Sequence, residues 1–488
     1  MKSKLLKNCK ILEDGNLVKK HILLEDHKIS YISDEIITAD EVIDIKDNIL
    51  IPGLIDCHVH FREPGMTHKE DFLSGTIAAA KGGVTTIIDM PNTIPPTITV
   101  QNLGEKRKLA EKSIVNYGFH FGSTMGNLSE IKQAKNIASV KIFMNVSTGN
   151  LKIDEPAMVE KIMSAATLCT THAEGEQLTK AIEIAAKLKK KFYACHISTE
   201  DEIKQIRKNR KYVYCEVTPH HLFLTEKDKE KLGKLADVKP SLKAEKDLEA
   251  LWKALQSGIV DTIATDHAPH TKEEKLNEER AGLPGIETML PLLLDAVNKK
   301  RLTLQQVIDL TSKNPAKIFR IKNKGQLKEG YDADLVVIDM NLEKEVKSDE
   351  LLTKTGWSPF EGKVLKGWPI TTIVRGNVVY DNNNIFEIRS KEIKIEKPKR
   401  LFGRKPKEIQ ETIDMVEVKE TKEPIETEET QEELTDKKQE VKETKEPIET
   451  QEKLTDKKQE IKETKEPIET EETKDNSNQE QESITNKN

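Results

Sequence analysis

The chain has 488 residues and five cysteines, odd in number and without Cys-x-x-Cys spacing, so it is long enough for one large α/β barrel with appendages and is neither a disulfide framework nor a zinc ribbon. No apolar stretch reaches the roughly 18 residues of a membrane span, and the opening Met1–Lys7 runs at once into lysines; the expectation is a protein of the reducing cytoplasm with no membrane partner. The formal charge of −6 hides a division, because Glu411–Asn488 carries 26 acidic against 13 basic residues and leaves +7 on residues 1–410.

Residues 1–50 hold short alternating runs separated by turns, and residues 325–390 hold more of them, such as Ala333–Asp339 and Thr372–Tyr380. Both sets read as strands, expected to pair into one small β-sandwich built from the two ends of a central segment. That segment, residues 51–324, opens with Asn48–Ile55, which reads as a strand entering from the Pro52-Gly53 turn and leading to Asp56-Cys57-His58-Val59-His60-Phe61-Arg62-Glu63-Pro64-Gly65. Two positions apart on a strand, His58 and His60 point to the same side. They either share a metal ion or form a hydrogen-bonded core pair, and their spacing alone does not choose.

Seven more β-rich runs follow, most of them ending on a polar or ionisable residue. Val84–Met90 leads to Asn92, Tyr117–Phe121 contains His120, Ser139–Met144 contains Lys141, and Thr167–Thr171 ends at His172. Phe192–Ala194 ends at Cys195 and His196, Tyr212–Val217 contains Glu216, and Asp261–Thr265 ends at Asp266 and His267. Amphipathic stretches lie between them; in Glu176–Leu188 the apolar residues recur at helical spacing. Eight such alternations predict a (β/α)8 barrel, in which chemistry gathers at the C-terminal ends of the strands.

The tail, residues 391–488, repeats the nonamer Lys-Glu-Thr-Lys-Glu-Pro-Ile-Glu-Thr from Lys419, Lys442 and Lys462 and has no aromatic residue after Phe402. Low hydrophobicity, high charge and a proline in each copy predict disorder, as a solvated extension or as a partner-binding arm. The basic run from Lys397 to Lys405 reads as a linker, and no nucleic-acid partner is expected.

His58, His60, His172, His196 and Asp266 supply four imidazoles and a carboxylate, a donor set that suits zinc. Five ligands are too many for one tetrahedral ion, and two ions need a bridge. Lys141 is the odd residue among Val140, Ile142 and Phe143. An ammonium cannot bind a cation, but the carbamate formed when CO2 adds to the amine has two oxygens and can bridge two metals. The alternative for a lone strand lysine is a buried amine paired with an acid. Two divalent ions lower the pKa of a shared water and polarise a carbonyl. Asp266 is placed to accept the proton as a general base and return it to a departing nitrogen. Cys195 is a weaker candidate nucleophile, since adjacent residues on a strand face opposite ways and His196 is its neighbour. Arg62 is either a solvated surface side chain or a guanidinium that takes a substrate carboxylate bidentately. Asn92 and His270 come from other strand ends and can add hydrogen bonds. Gly282 and Gly285 allow a flat ring close to the backbone, unless they serve conformation alone.

Through the decapeptide Asp56–Gly65, Met90-Pro91-Asn92-Thr93, Thr171-His172-Ala173-Glu174, Cys215–Leu222, Ala264-Thr265-Asp266-His267-Ala268-Pro269-His270 and Gly285-Ile286-Glu287-Thr288, the chain resembles the dihydroorotases of the amidohydrolase superfamily. The resemblance implies reversible interconversion of N-carbamoyl-L-aspartate and L-dihydroorotate, a step of pyrimidine synthesis, on two zinc ions. It implies His58, His60, carboxylated Lys141, His172, His196 and Asp266 as ligands, Asp266 also as proton shuttle, and Arg62, Asn92 and His270 as substrate contacts, to which the residue reading adds Gly282. Cys195 and Glu216 match positions associated with a third zinc in the animal form, while the loop Asn145–Asn150 resembles the bacterial form. Lys239 departs from the asparagine or arginine usual in relatives, and His120 matches no ligand and is expected to be structural. A homodimer and a complex with aspartate carbamoyltransferase are expected by family analogy. The rival readings are allantoinase and dihydropyrimidinase, which act on neutral rings, and a non-catalytic scaffold on the same barrel. All six ligand positions being present argues against the scaffold.

Overall fold

The computed structural model describes residues 2–146, 151–278 and 280–397. Residues 391–397, expected to open the disordered tail, are ordered instead, with Glu392 bridged to Tyr117 and Ile395 to Ile321; from residue 398 onward that expectation falls outside the described residues, as does most of the loop Asn145–Asn150.

The barrel strands are Leu54–Val59, Val84–Asp89, Asn116–Phe119 continued by Phe121–Gly122, Val140–Phe143, Cys169–His172, Phe192–Ala194, Val213–Val217 and Thr262–Ile263. Neighbours pair in parallel around the ring. The third strand changes partner at His120, whose N–H donates to Asp89 O at 3.0 Å while Phe121 N donates to Ser139 O at 2.9 Å. The ring closes through a parallel bridge between Val59 and His267, with His60 N donating to His267 O at 2.8 Å. Helices such as Phe72–Lys81, Glu176–Leu188 and Glu245–Gln256 follow the strands. Glu176–Leu188 turns Leu178, Ala181, Ile182 and Ala185 inward at the spacing its sequence predicts.

Strands from both ends of the chain's described part join a single nine-stranded sheet. Its junction is Ile49–Pro52, which pairs antiparallel with Leu335–Ile338. Leu6, Cys9, Ile22, Leu50, Leu335, Val337 and Ile373 form the apolar cluster that the sheet encloses.

Two further sequence expectations need correcting here. The run Asn48–Ile55 is not one strand: Ile49–Pro52 belongs to the terminal sheet and Leu54–Val59 to the barrel. Gly53 is the pivot, its N–H donating to Asp334 O at 2.8 Å. A Cβ there would lie 2.1 Å from Thr85 Oγ1 and 2.3 Å from Thr85 Cγ2. Gly53→Ala should therefore destabilise the fold by about 1–3 kcal/mol through overpacking, and Thr85→Ala in the same chain should restore part of the loss. Denaturant unfolding checks this; an unchanged midpoint in the single variant would refute the close approach. The eighth strand is also shorter than the run Asp261–Thr265, because Thr265 N bonds the Asp56 carboxylate at 3.1 Å instead of the ladder.

Candidate active site

The C-terminal strand ends open into a cavity lined by His58, His60, Arg62, Asn92, Lys141, Phe143, His172, His196, Lys239, Asp266 and Gly282, among others. Of the residues singled out in the sequence, Cys195, Glu216 and His270 stand just behind this lining. Arg62, His196 and Asp266 have φ of 61°, 34° and 48°, in the left-handed region that non-glycine residues seldom occupy. Three such residues at one site mark backbone strain held in place by the surrounding structure.

His58 Nε2 lies 3.2 Å and His60 Nε2 3.0 Å from the same Asp266 Oδ1. Behind the rings, His58 Nδ1 bonds the Glu216 carboxylate, and His60 Nδ1 is 2.6 Å from Asn92 Oδ1. Both partners are acceptors, so Nδ1 of each neutral ring carries the proton and Nε2 presents a lone pair. With both rings neutral, two imidazole lone pairs and a carboxylate oxygen converge with no proton between them, an arrangement that takes up a cation, be it a metal ion or the proton that His58 otherwise holds. Charge balance reflects the same demand. Burial lowers the pKa of His58, but Glu216 and Asp266 outweigh it and raise it well above the ordinary value. Burial brings His60 down to about 4.

On the opposite side, His172 Nδ1 is 2.9 Å from His196 Nε2. Burial, and then His172, hold the His196 pKa well below its usual range, and among the described residues its Nδ1 has no hydrogen-bond partner. Groups able to hold a metal ion are His58, His196 and Asp266, and, around the other nitrogen of His58, Cys195 and Glu216. Glu216 also accepts from Tyr193 Oη at 2.6 Å and His196 N at 3.0 Å.

Lys141 is 1% exposed, and its Nζ contacts Cys195 Sγ at 3.0 Å. Among the described residues no carboxylate lies within ion-pair distance of it. The acid-paired alternative for this lysine therefore finds no partner, and a buried amine in a nest of metal-ligand side chains fits carboxylation.

Arg62 is 2% exposed rather than solvated. Its Nε donates to Pro269 O at 3.0 Å and its Nη2 to His270 Nε2 at 3.0 Å. Burial lowers its pKa to about 10, which leaves it charged at neutral pH. Among the described residues, three of its five N–H groups have no partner and remain for a ligand. Lys69 Nζ stands 3.1 Å from His270 Nδ1 and 3.0 Å from Glu274. Gly282 has φ 144°, and a Cβ on it would meet Ala268 O at 2.4 Å. Gly285 does not line the cavity; its N–H donates to His267 Nδ1 at 3.1 Å.

His120 lies behind the site, bonded to Ser139 Oγ at 2.7 Å and Cys57 O at 3.0 Å. Sequence reasoning did not single out Tyr193, Lys69 or Glu274. Tyr193 carries no signal beyond its place on the strand before Glu216, and Lys69 and Glu274 read as ordinary surface charges.

Ligand-type side chains at the mouth of a parallel barrel define the amidohydrolase class, and the chain belongs to the amidohydrolase family, whose model matches residues 49–379. Its relatives sharpen this. A protein named dihydroorotase from Methanosphaera stadtmanae is 40% identical over 434 residues, covering 80% of this chain and all of that protein. Another so named, from Pyrococcus abyssi, is 41% identical over 395 residues, covering 77% and 95% respectively. Among solved structures, L-hydantoinase (dihydropyrimidinase) from Arthrobacter aurescens superposes with a TM-score of 0.76 at 27% identity, over 81% of this chain and all of that one.

Proposed function

We propose that this site interconverts L-dihydroorotate and N-carbamoyl-L-aspartate, the dihydroorotase reaction of pyrimidine synthesis, with two zinc ions held by His58, His60, carboxylated Lys141, His172, His196 and Asp266. The observation that carries the substrate choice is Arg62, a buried and charged guanidinium with free donors beside the ligand set. A substrate carboxylate matches it and a neutral ring does not.

Bound there, two divalent ions lower the pKa of a shared water and polarise the ring carbonyl. Everything else falls to side chains. Arg62 clamps the substrate carboxylate, Asn92 holds His60 in its tautomer, and Glu216 does the same for His58. Asp266 accepts a proton from the attacking water as its oxygen bonds to the carbonyl carbon, then delivers that proton to the ring nitrogen as the C–N bond breaks. Hydrolysis leaves a new carboxylate and releases one proton, so ring closure consumes one. The equilibrium should shift towards the ring about tenfold for each pH unit of acidification.

Cys195 and Glu216, with His58, form the site we assign to a third zinc, which would replace the proton that Glu216 otherwise accepts from His58 Nδ1. By family analogy we place the protein in the cytoplasm as a homodimer able to associate with aspartate carbamoyltransferase. No helix among the described residues is long and apolar enough to cross a membrane.

The second reading, a dihydropyrimidinase, rests on the fold likeness to the Arthrobacter enzyme. Ultraviolet assays with L-dihydroorotate, dihydrouracil and hydantoin, with zinc quantified on the same sample, separate the two. Turnover of dihydroorotate is expected; turnover of the neutral rings alone would sink the assignment. Lys141→Ala should lose bound zinc and at least about 100-fold in activity, beyond the 10–100-fold typical of a lost outer partner, with partial rescue by short carboxylic acids. Full activity in that variant would remove the carbamate.

A further inference from the structure

One wall of the cavity presents no polar side chain except an exposed lysine, although Val238 packs behind it in an apolar cluster with Leu242 and Leu283. It is made by Val238, Lys239, Ala281 and Gly282. Lys239 is exposed, and the other three offer only methyl groups or bare backbone. The two segments touch directly through Gly282 N, which donates to Asp237 O at 2.9 Å.

Lys275, on the short helix Lys272–Asn277, is 1% exposed and has no carboxylate at ion-pair distance among the described residues. Its Nζ donates to Asp237 O at 2.5 Å, Arg280 O at 2.9 Å and Gly282 O at 3.1 Å. An ammonium has three protons, and each has one carbonyl here. Burial lowers the pKa to about 8, which keeps the group an ammonium at neutral pH. A buried cation is costly unless its hydrogen bonds are complete. All three of these carbonyls lie in or beside the two wall segments.

Resting on the dihydroorotase reading, we infer that Lys275 is a positioning residue for substrate, a staple that ties residues 237–239 to residues 280–282 and so sets the wall against which the ring is held. Among the described residues, no hydrogen bond or ion pair joins the Lys275 side chain to the proposed metal ligands or to Arg62. Loss of Lys275 therefore moves substrate binding and leaves the bond-making groups in place.

The test is Lys275→Met in the full chain, which keeps the stem and removes all three donors. KM for L-dihydroorotate should rise about tenfold with kcat within about threefold and zinc content unchanged, because only binding common to ground and transition states is lost. Lys275→Gln, with two N–H groups, should fall between the two and decides the matter if the Met variant does not fold. Unchanged KM, or kcat falling as far as kcat/KM, overturns the inference. No dihydroorotate turnover by the unaltered protein overturns the reaction assignment and the inference with it.

Discussion

Asp266→Asn should lower kcat for dihydroorotate by about 10²–10⁴-fold, the range that a positioned general acid–base contributes, with KM changed far less. Among the described residues that line the cavity, Asp266 is the one carboxylate. Burial pushes its pKa up, but the imidazoles of His58 and His60 outweigh that and hold the carboxyl well below the usual range, so it stands ionised as an acceptor. The amide keeps the shape and one oxygen but cannot take a proton. Zinc measured on the variant separates loss of the shuttle from loss of a ligand. A variant with wild-type kcat would remove Asp266 from the chemistry and shift the proton to another group.

Arg62→Ala should lower kcat/KM for dihydroorotate by about 100-fold, the cost of hydrogen bonds to a charged partner at roughly 1.5–3 kcal/mol each. Turnover of dihydrouracil, if present, should change by less than about threefold, since that ring has no carboxylate to lose a partner. Arg62→Lys should recover little, because a point charge cannot reproduce the planar fork that Pro269 O and His270 hold in place. Equal losses on charged and neutral rings would deny the carboxylate contact.

Much of the site was legible because its members sit at strand ends in short motifs. The spacing of His58 and His60 put them on one side of a strand and their place among the other strand ends pointed to a site, while Lys141 stood out by its incongruity in an apolar run. What stayed hidden depends on partners distant in sequence. The run Ile49–Ile55 is apolar throughout, and both sheets reward that composition; pairing in the terminal sheet, chiefly with Leu335–Ile338, divides it at Gly53. The Tyr193–Glu216–His58 relay joins three strands and leaves no local pattern. Lys275 is the hardest case, since its partners are backbone carbonyls that any residue supplies.

The junction of Ile49–Pro52 with Leu335–Ile338 also bears on how the protein is made. Contacts of such large sequence separation form late. During synthesis His58 and His60 leave the ribosome early, yet the bridge from Val59 to His267 and the pairing that anchors the preceding strand both wait for chain not yet translated. The first candidate ligands made are thus among the last to be fixed, and a ribosome-bound chain that stops short of residue 267 should lack the partner of Val59 that closes the ring.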